Sequence, residues 1–187
     1  MEGLIMDGGW VEVLVGPMFS GKSEELIRLL RRAQIARQKI QVFKPEVDTR
    51  GDAFRVTSHA RQEFPAAPLP SAQEILKRTF PETQVLGIDE AQFFDEEIVE
   101  VCQALAHRGV RVIAAGLDLD YRGQPFGVMP RLMAVAERVT KLAAVCTVCG
   151  GPASRTQRVT HDAALVVVGG EGVYEARCRR HHDIPGP

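Results

Sequence analysis

The sequence predicts an α/β fold: a parallel sheet with helices on both faces, followed by a small cysteine-bearing module at the carboxyl end. Three observations predict it. Short apolar runs of strand length alternate with longer segments of helical periodicity. A glycine-rich turn stands directly between the first such run and the first helix. The chain also changes character at Cys146, where two pairs of metal-type side chains bracket a β-like stretch and a glycine-rich turn. Strands joined through helices at this spacing run parallel, because each crossover returns the chain to the same end of the sheet.

Taken in order, Trp10 to Val15 is a strand that ends at Gly16. From Lys22 to Arg37 the apolar positions Leu26, Ile27, Leu29, Leu30, Ala33 and Ile35 oppose Arg28, Arg31, Arg32 and Arg37, as on a helix with a basic outer face. Ile40 to Phe43 is the next strand, stopped by Pro45. Residues 48–70 read as a long polar loop broken by Gly51, Pro65 and Pro68, with at most a short strand. Ser71 is placed to cap a helix reaching Thr79, and Glu74 completes a Ser-x-x-Glu capping box. Val85 to Ile88 is an apolar strand ending in Asp89 and Glu90. A helix from Asp95 to His107 is stopped by Gly109, and a strand follows from Val110 to Ala115. A Gly/Pro loop over 118–130, a helix from Arg131 to Arg138 and a strand from Val139 to Val145 complete the main domain. The expected division is 1–145 and 146–187.

The 187 residues, 45% of them hydrophobic and 25% charged, are enough for one domain with a self-sufficient core plus the small module. Twenty-three basic against twenty-four acidic side chains leave a net charge of −1, which argues against a nucleic-acid backbone or an anionic membrane as partner. No apolar run reaches bilayer length, and Met1 to Gly9 has neither the basic nor the apolar region of a signal peptide. A soluble, cytoplasmic protein is expected. Cys102 and Trp10 read as packing residues, and His59, His107 and His161 as surface residues.

The strongest motif is Gly16-Pro17-Met18-Phe19-Ser20-Gly21-Lys22-Ser23, a complete G-x-x-x-x-G-K-S between strand and helix. Such a turn wraps backbone N–H groups around a phosphate chain, and the helix N-terminus adds positive charge. Lys22 is expected to reach the β- and γ-phosphates and the Ser23 hydroxyl to sit on Mg²⁺. Asp89 ends an apolar strand, where the second Mg²⁺-directing acid belongs. Adjacent side chains of extended backbone point to opposite sides, so Glu90 can face a nucleophile while Asp89 faces the metal. Glu90 then reads as a general base; the other readings are a water-polarising acid of an ATPase or a solvated loop acid.

Cys146-x-x-Cys149 and, 28 residues later, Cys178-x-x-His181 form a zinc pattern with two ligand pairs. Closing the intervening loop costs about 3 kcal/mol. Structural zinc contributes about 10–16 kcal/mol, so closure is affordable. With four ligands the metal is structural. A redox Cys-x-x-Cys is the competing reading, and His182 is an alternative fourth ligand.

Together these residues resemble the type II thymidine kinase family. The resemblance runs from Val11 to His181 and rests on GPMFSGKS (16–23), KPEVDTR (44–50), IDEAQFF (88–94), GLDLDYRGQPFG (116–127), VCTVC (145–149) and VGGEGVYEARCRRH (168–181). It implies transfer of the ATP γ-phosphate to the 5′-hydroxyl of thymidine or deoxyuridine, with Mg²⁺ at work and Zn²⁺ structural. It also implies a zinc-held lasso over the base, a homotetramer and dTTP as feedback inhibitor. Glu90 takes the place of the family's base, and Asp48, Thr49, Arg50, Asp89 and Gln92 join residues 16–23 on the donor side. The nucleoside pocket implied comprises Met18, Phe93, Leu117, Tyr121, Phe126, Thr156, Leu165, Val166, Val167, Val168, Gly169 and Tyr174. Tyr121 departs from a family phenylalanine, and His181 from a fourth cysteine. Because the metal fixes both ends of the segment over the base while the phosphate loop lies in a separate part of the fold, Cys178→Ser is expected to lose thymidine affinity first and to leave ATP binding largely intact.

Overall fold

A computed structural model describes residues 8–48, 54–58, 62–160 and 172–183. Thr49, Arg50, the stretch Leu165 to Gly169, His59 and His161 lie outside the described residues. Strand β1 (Trp10–Val15) leads through the glycine-rich turn into α1 (Lys22–Ile35) and β2 (Ile40–Pro45). Three short strands follow: β3 (Arg55–Thr57), β4 (Glu63–Pro65) and β5 (Ala67–Leu69). Then come α2 (Ala72–Arg78), β6 (Val85–Ile88), α3 (Ile98–His107), β7 (Arg111–Gly116), α4 (Met129–Val135) and β8 (Arg138–Lys141). The main sheet has six strands in the order β5-β2-β6-β7-β1-β8, all parallel.

Strand alternation sorts the core into two layers. Val11, Val13, Val15, Leu86, Ile88, Val112 and Ala114 face α2, α3 and α4. Leu14, Val42, Val85, Ile113 and Ala115 face α1, whose Leu26, Ile27, Leu30 and Ala33 are buried against them. Cys102 is fully buried in the first layer, and its thiol is pushed up to about 12 by that burial. Glu12 is also buried, paired at 2.7 Å with Arg111 of the neighbouring strand.

Several boundaries differ from the expectation. The segment 48–70 is not simply a loop. β3 and β4 pair as an antiparallel hairpin whose Val56 is buried against α1, and β5 adds an outer strand to the sheet. Pro68 is tolerated there because β5 is an edge strand, where a missing N–H goes unnoticed. The Ser71 capping box does not form, since the Ser71 side chain makes no cap bond. The Ala72 N–H donates instead to Asp95 Oδ2 at 3.0 Å, and Glu74 pairs with Lys77 and Arg78. Asp95 serves both helices, since its Oδ1 accepts the Glu97 N–H at 3.1 Å, and α3 starts at Ile98 after a 3₁₀ turn over Ala91–Phe93. Pro130 sits in the first turn of α4, a position where its missing N–H costs nothing, so this helix starts and ends earlier than expected.

The strand expected over Val139 to Val145 divides. β8 stops at Lys141, and β9 (Ala144–Val145) pairs with β10 (Pro152–Ala153) across the expected 145/146 division. β11 (Arg155–Arg158) and β12 (Tyr174–Arg177) form a second two-stranded sheet, closed by a 3₁₀ turn over Arg179–His181. Among the described residues, no helix is long and apolar enough to cross a membrane.

Candidate functional site

The glycine-rich turn leaves β1 at the carboxyl end of the sheet, the end where open α/β sheets bind ligands. Gly16 is needed by close approach: a Cβ there would stand 2.4 Å from the Leu142 carbonyl oxygen. Phe19 has φ 64, a left-handed conformation that costs a non-glycine residue on the order of 1 kcal/mol. Lys22 opens α1, is almost fully buried, and donates from Nζ to the Pro17 carbonyl at 2.7 Å. Its ammonium is thereby held inside the turn, among the backbone groups that the motif reserves for phosphate.

The carboxylates converge on the same place. β6 carries Asp89 to the sheet end one strand removed from β1, a gap of about 9.5 Å at two strand spacings. The turn bridges that gap, and Ser23 Oγ donates to Asp89 Oδ2 at 3.4 Å. Burial first, then the charges of Glu90 and Asp48, raise the Asp89 carboxyl to about 7, against the Glu90 N–H and Lys22. Asp48 is paired with the buried Lys44 amine at 3.3 Å. Glu90 and Asp48, crowded around a buried, reluctantly ionised carboxyl, form with it a donor set that a divalent cation would satisfy. Lys44 was not singled out from the sequence, because a basic residue at a strand end usually points to water.

Glu90 has φ 50 and ψ 41, again left-handed for a non-glycine residue. Gln92, buried, donates from its amide nitrogen to Glu90 Oε2 and accepts the Leu117 N–H on Oε1 at 3.0 Å. Gly116 makes room for that amide: a Cβ there would stand 2.6 Å from Gln92 Oε1. Gln92, expected with the donor-side residues, is therefore directed at Glu90 and the Leu117 backbone. A cavity of about 260 Å³ opens over these groups, lined among others by Met18, Phe19, Lys22, Ser23, Glu90 and Leu117. Ser58, delivered by the β3–β4 hairpin, also lines it; a serine in an apparent loop carried no signal of this.

Of the expected nucleoside-pocket residues, Met18, Tyr121 and Tyr174 form one buried cluster with Leu117 packed against it. Phe93 and Phe126 meet edge to face, centroids 5.9 Å apart. Thr156, buried on β11, accepts the Met18 N–H at 3.0 Å. The Tyr121 hydroxyl, the group that departs from the family pattern, accepts from Arg122 Nε at 2.9 Å, and Arg158 lies 3.7 Å over the Tyr121 ring.

In the small module, Cys146, Cys149, Cys178 and His181 place one ligand atom each within 4.8 Å of one another. Cys149 Sγ is 3.9 Å from Cys178 Sγ, and Cys178 Sγ 3.3 Å from His181 Nδ1. A tetrahedral zinc with Zn–S bonds near 2.3 Å requires ligand separations of about 3.8 Å, whereas a disulfide requires about 2.05 Å. Burial opposes ionisation of Cys146, but the N–H groups of Cys178, Val148 and Cys149, with the His181 ring, outweigh it and hold the thiol at about 5. Cys149 is raised: the Gly151 N–H favours its thiolate, but the Cys146 and Cys178 sulfurs oppose a second charge. A cation removes that opposition, so the set fits zinc. His182 is not in the cluster; its Nε2 meets the Tyr121 carbonyl at 2.9 Å.

A family model described as thymidine kinase matches residues 9–182. The chain belongs to the thymidine kinase family. Its function is the phosphorylation of thymidine to dTMP, and the match spans the glycine-rich turn, the Asp89–Glu90 strand end and the cysteine-bearing module together. The α/β fold with a parallel six-stranded sheet and a Cys₃His cluster agrees with the class expected from the sequence.

Proposed function

We propose that the chain transfers the γ-phosphate of ATP to the thymidine 5′-hydroxyl with Glu90 as general base and residues 16–23 as donor site. The observation that carries this reading is the shared cavity: Lys22, Ser23 and Glu90 line one side of it, while Met18 and Leu117 connect it to the aromatic cluster. Donor and acceptor can therefore meet at Glu90.

Each residue then has a defined task. Lys22 and the turn's backbone N–H groups bind the donor's phosphates, and Ser23 with Asp89 would hold Mg²⁺. Mg²⁺, when bound, supplies charge neutralisation on the phosphates. Glu90 Oε, held by Gln92, accepts the 5′-hydroxyl proton as the oxygen attacks. Asp48, with Thr49 and Arg50 beyond it in the chain, is the family's acid–x–Arg element, and a cation there compensates charge spreading over the γ-phosphoryl oxygens. Met18, Leu117, Tyr121 and Tyr174 wall a flat pyrimidine, with Phe93, Phe126, Thr156 and the stretch Leu165 to Gly169 completing the pocket. Cys146, Cys149, Cys178 and His181 hold one structural Zn²⁺.

The test is a donor and metal requirement assay. dTMP should form with ATP and Mg²⁺ and stop when Mg²⁺ is chelated, and no phosphate should be released when nucleoside is omitted. Phosphate release at an equal rate without nucleoside would instead make Glu90 the water-polarising acid of an ATPase.

A further inference from the structure

The phosphate loop is gripped by the zinc-bearing module. Phe19, in the middle of the loop, packs against the apolar cluster of Ala144, Cys146, Ala153 and Ala176, with Cys178 beside it. Two of those neighbours are candidate metal ligands. One residue earlier, the Met18 N–H is not turned to the phosphate site but is bound by the Thr156 hydroxyl, a buried contact spanning 138 positions of sequence. At the loop's start, Gly16 rests against the Leu142 carbonyl just ahead of the module. A left-handed phenylalanine persists only where its surroundings over-determine it, and this one is held by the module.

We propose that Phe19 and Thr156 are positioning residues for the donor site, through which the zinc-bearing module sets the shape of the phosphate loop. This rests on the reading of residues 16–23 as the ATP site, and it reverses the expectation that zinc loss spares ATP binding. The physical logic is preorganisation. A loop already fixed in its anion-binding shape does not lose that freedom when nucleotide arrives, whereas a released loop must. Phe19 supplies the grip by packing and Thr156 by its hydroxyl.

The experiment measures ATP binding by calorimetry on the full chain without nucleoside, so that no base-pocket effect enters. Thr156→Val should weaken ATP affinity about 3- to 10-fold, the worth of one buried hydrogen bond, and Thr156→Ser should restore it. Phe19→Gly, which suits φ 64, removes the packing and adds backbone freedom, and should weaken it by a similar factor or more. Zinc removal from the unmutated chain should do the same, and it takes the place of either variant that does not fold. ATP affinity equal to the parent's in Thr156→Val, in Phe19→Gly or after zinc removal would overturn the proposal. Lys22→Ala separates this from the underlying reading. Parent-like ATP affinity in that variant removes the donor-site assignment itself, whereas lost affinity there with no change in the other variants removes only the positioning role.

Discussion

Replacing Gln92 with Leu tests whether the orientation of Glu90 matters, because the two side chains have similar size and only the amide is lost. In the parent chain that amide makes two bonds, one donated to the Glu90 carboxylate and one accepted from the Leu117 N–H. A hydrogen bond to a charged acceptor contributes about 1.5–3 kcal/mol, and an orphaned buried N–H costs about 1–3 kcal/mol. Glu90 and Leu117 are both half-buried at the cavity, so water replaces part of each bond. A total near 2–3 kcal/mol is expected, lowering Tm by roughly 5–10 °C for a chain of this size. Freed from its donor, the Glu90 carboxylate samples other rotamers, and a misplacement of about 1 Å costs on the order of 100-fold in rate. Steady-state dTMP formation should show kcat down by about 10- to 100-fold, with both KM values within about threefold of the parent. A lowered Tm with unchanged kcat would refute the reasoning, because Gln92 would then serve only the fold.

Asp89→Asn should stabilise the ligand-free chain at neutral pH while abolishing Mg²⁺-dependent turnover. The folded carboxyl sits at about 7 against an ordinary value of 3.8, so its ionisation opposes folding. That penalty is absent below pH 4, grows as pH rises through the interval and is complete above 7, reaching up to about 4 kcal/mol. Urea unfolding of parent and variant at pH 4 and pH 8 should therefore diverge only at pH 8; equal stabilities at both would contradict it. Metal analysis should find one zinc per chain in protein purified without chelator, lost in Cys178→Ser and released by acid, since protonated thiols and imidazolium cannot ligate it. His182→Ala should retain the zinc, because His182 bonds the Tyr121 carbonyl instead; zinc lost from that variant would reverse the ligand assignment. Thymidine and deoxyuridine should be phosphorylated and purine deoxynucleosides rejected, and a comparable kcat/KM for deoxyadenosine would overturn the pyrimidine-sized pocket.

The layered sheet was legible because β1, β6 and β7 are short apolar runs bounded by unmistakable breakers, and the glycine-rich turn names its own neighbours. The hairpin at Arg55–Thr57 and Glu63–Pro65 was not, since its inward side chains, Val56 and the partly buried Phe64, come one to a strand and give no periodicity in a segment rich in proline and charge. The Ser71 side chain makes no cap bond, and the first N–H of α2, at Ala72, is held by Asp95, 23 residues downstream, a partner that no local pattern names. The site was legible as far as residue types carry chemistry. Lys22, Ser23, Asp89, the three cysteines and His181 announce themselves by spacing. Gln92 and Lys44 do not, because their roles depend on burial and on partners brought together by the sheet. The contact between Phe19 and the small module was hidden for the same reason, because the two read as separate parts of the fold where the chain folds back.

The most direct measurement of the account is the phosphate-transfer step in Glu90→Gln, followed in a single turnover with γ-labelled ATP, Mg²⁺ and thymidine. The variant keeps the size and hydrogen-bonding reach of Glu90 but cannot accept the 5′-hydroxyl proton. Transfer should slow by about 10²–10⁴, the usual contribution of a general base, while ATP and thymidine affinities stay within about threefold. Transfer at a rate near the parent's would contradict the claim that donor and nucleoside meet at Glu90.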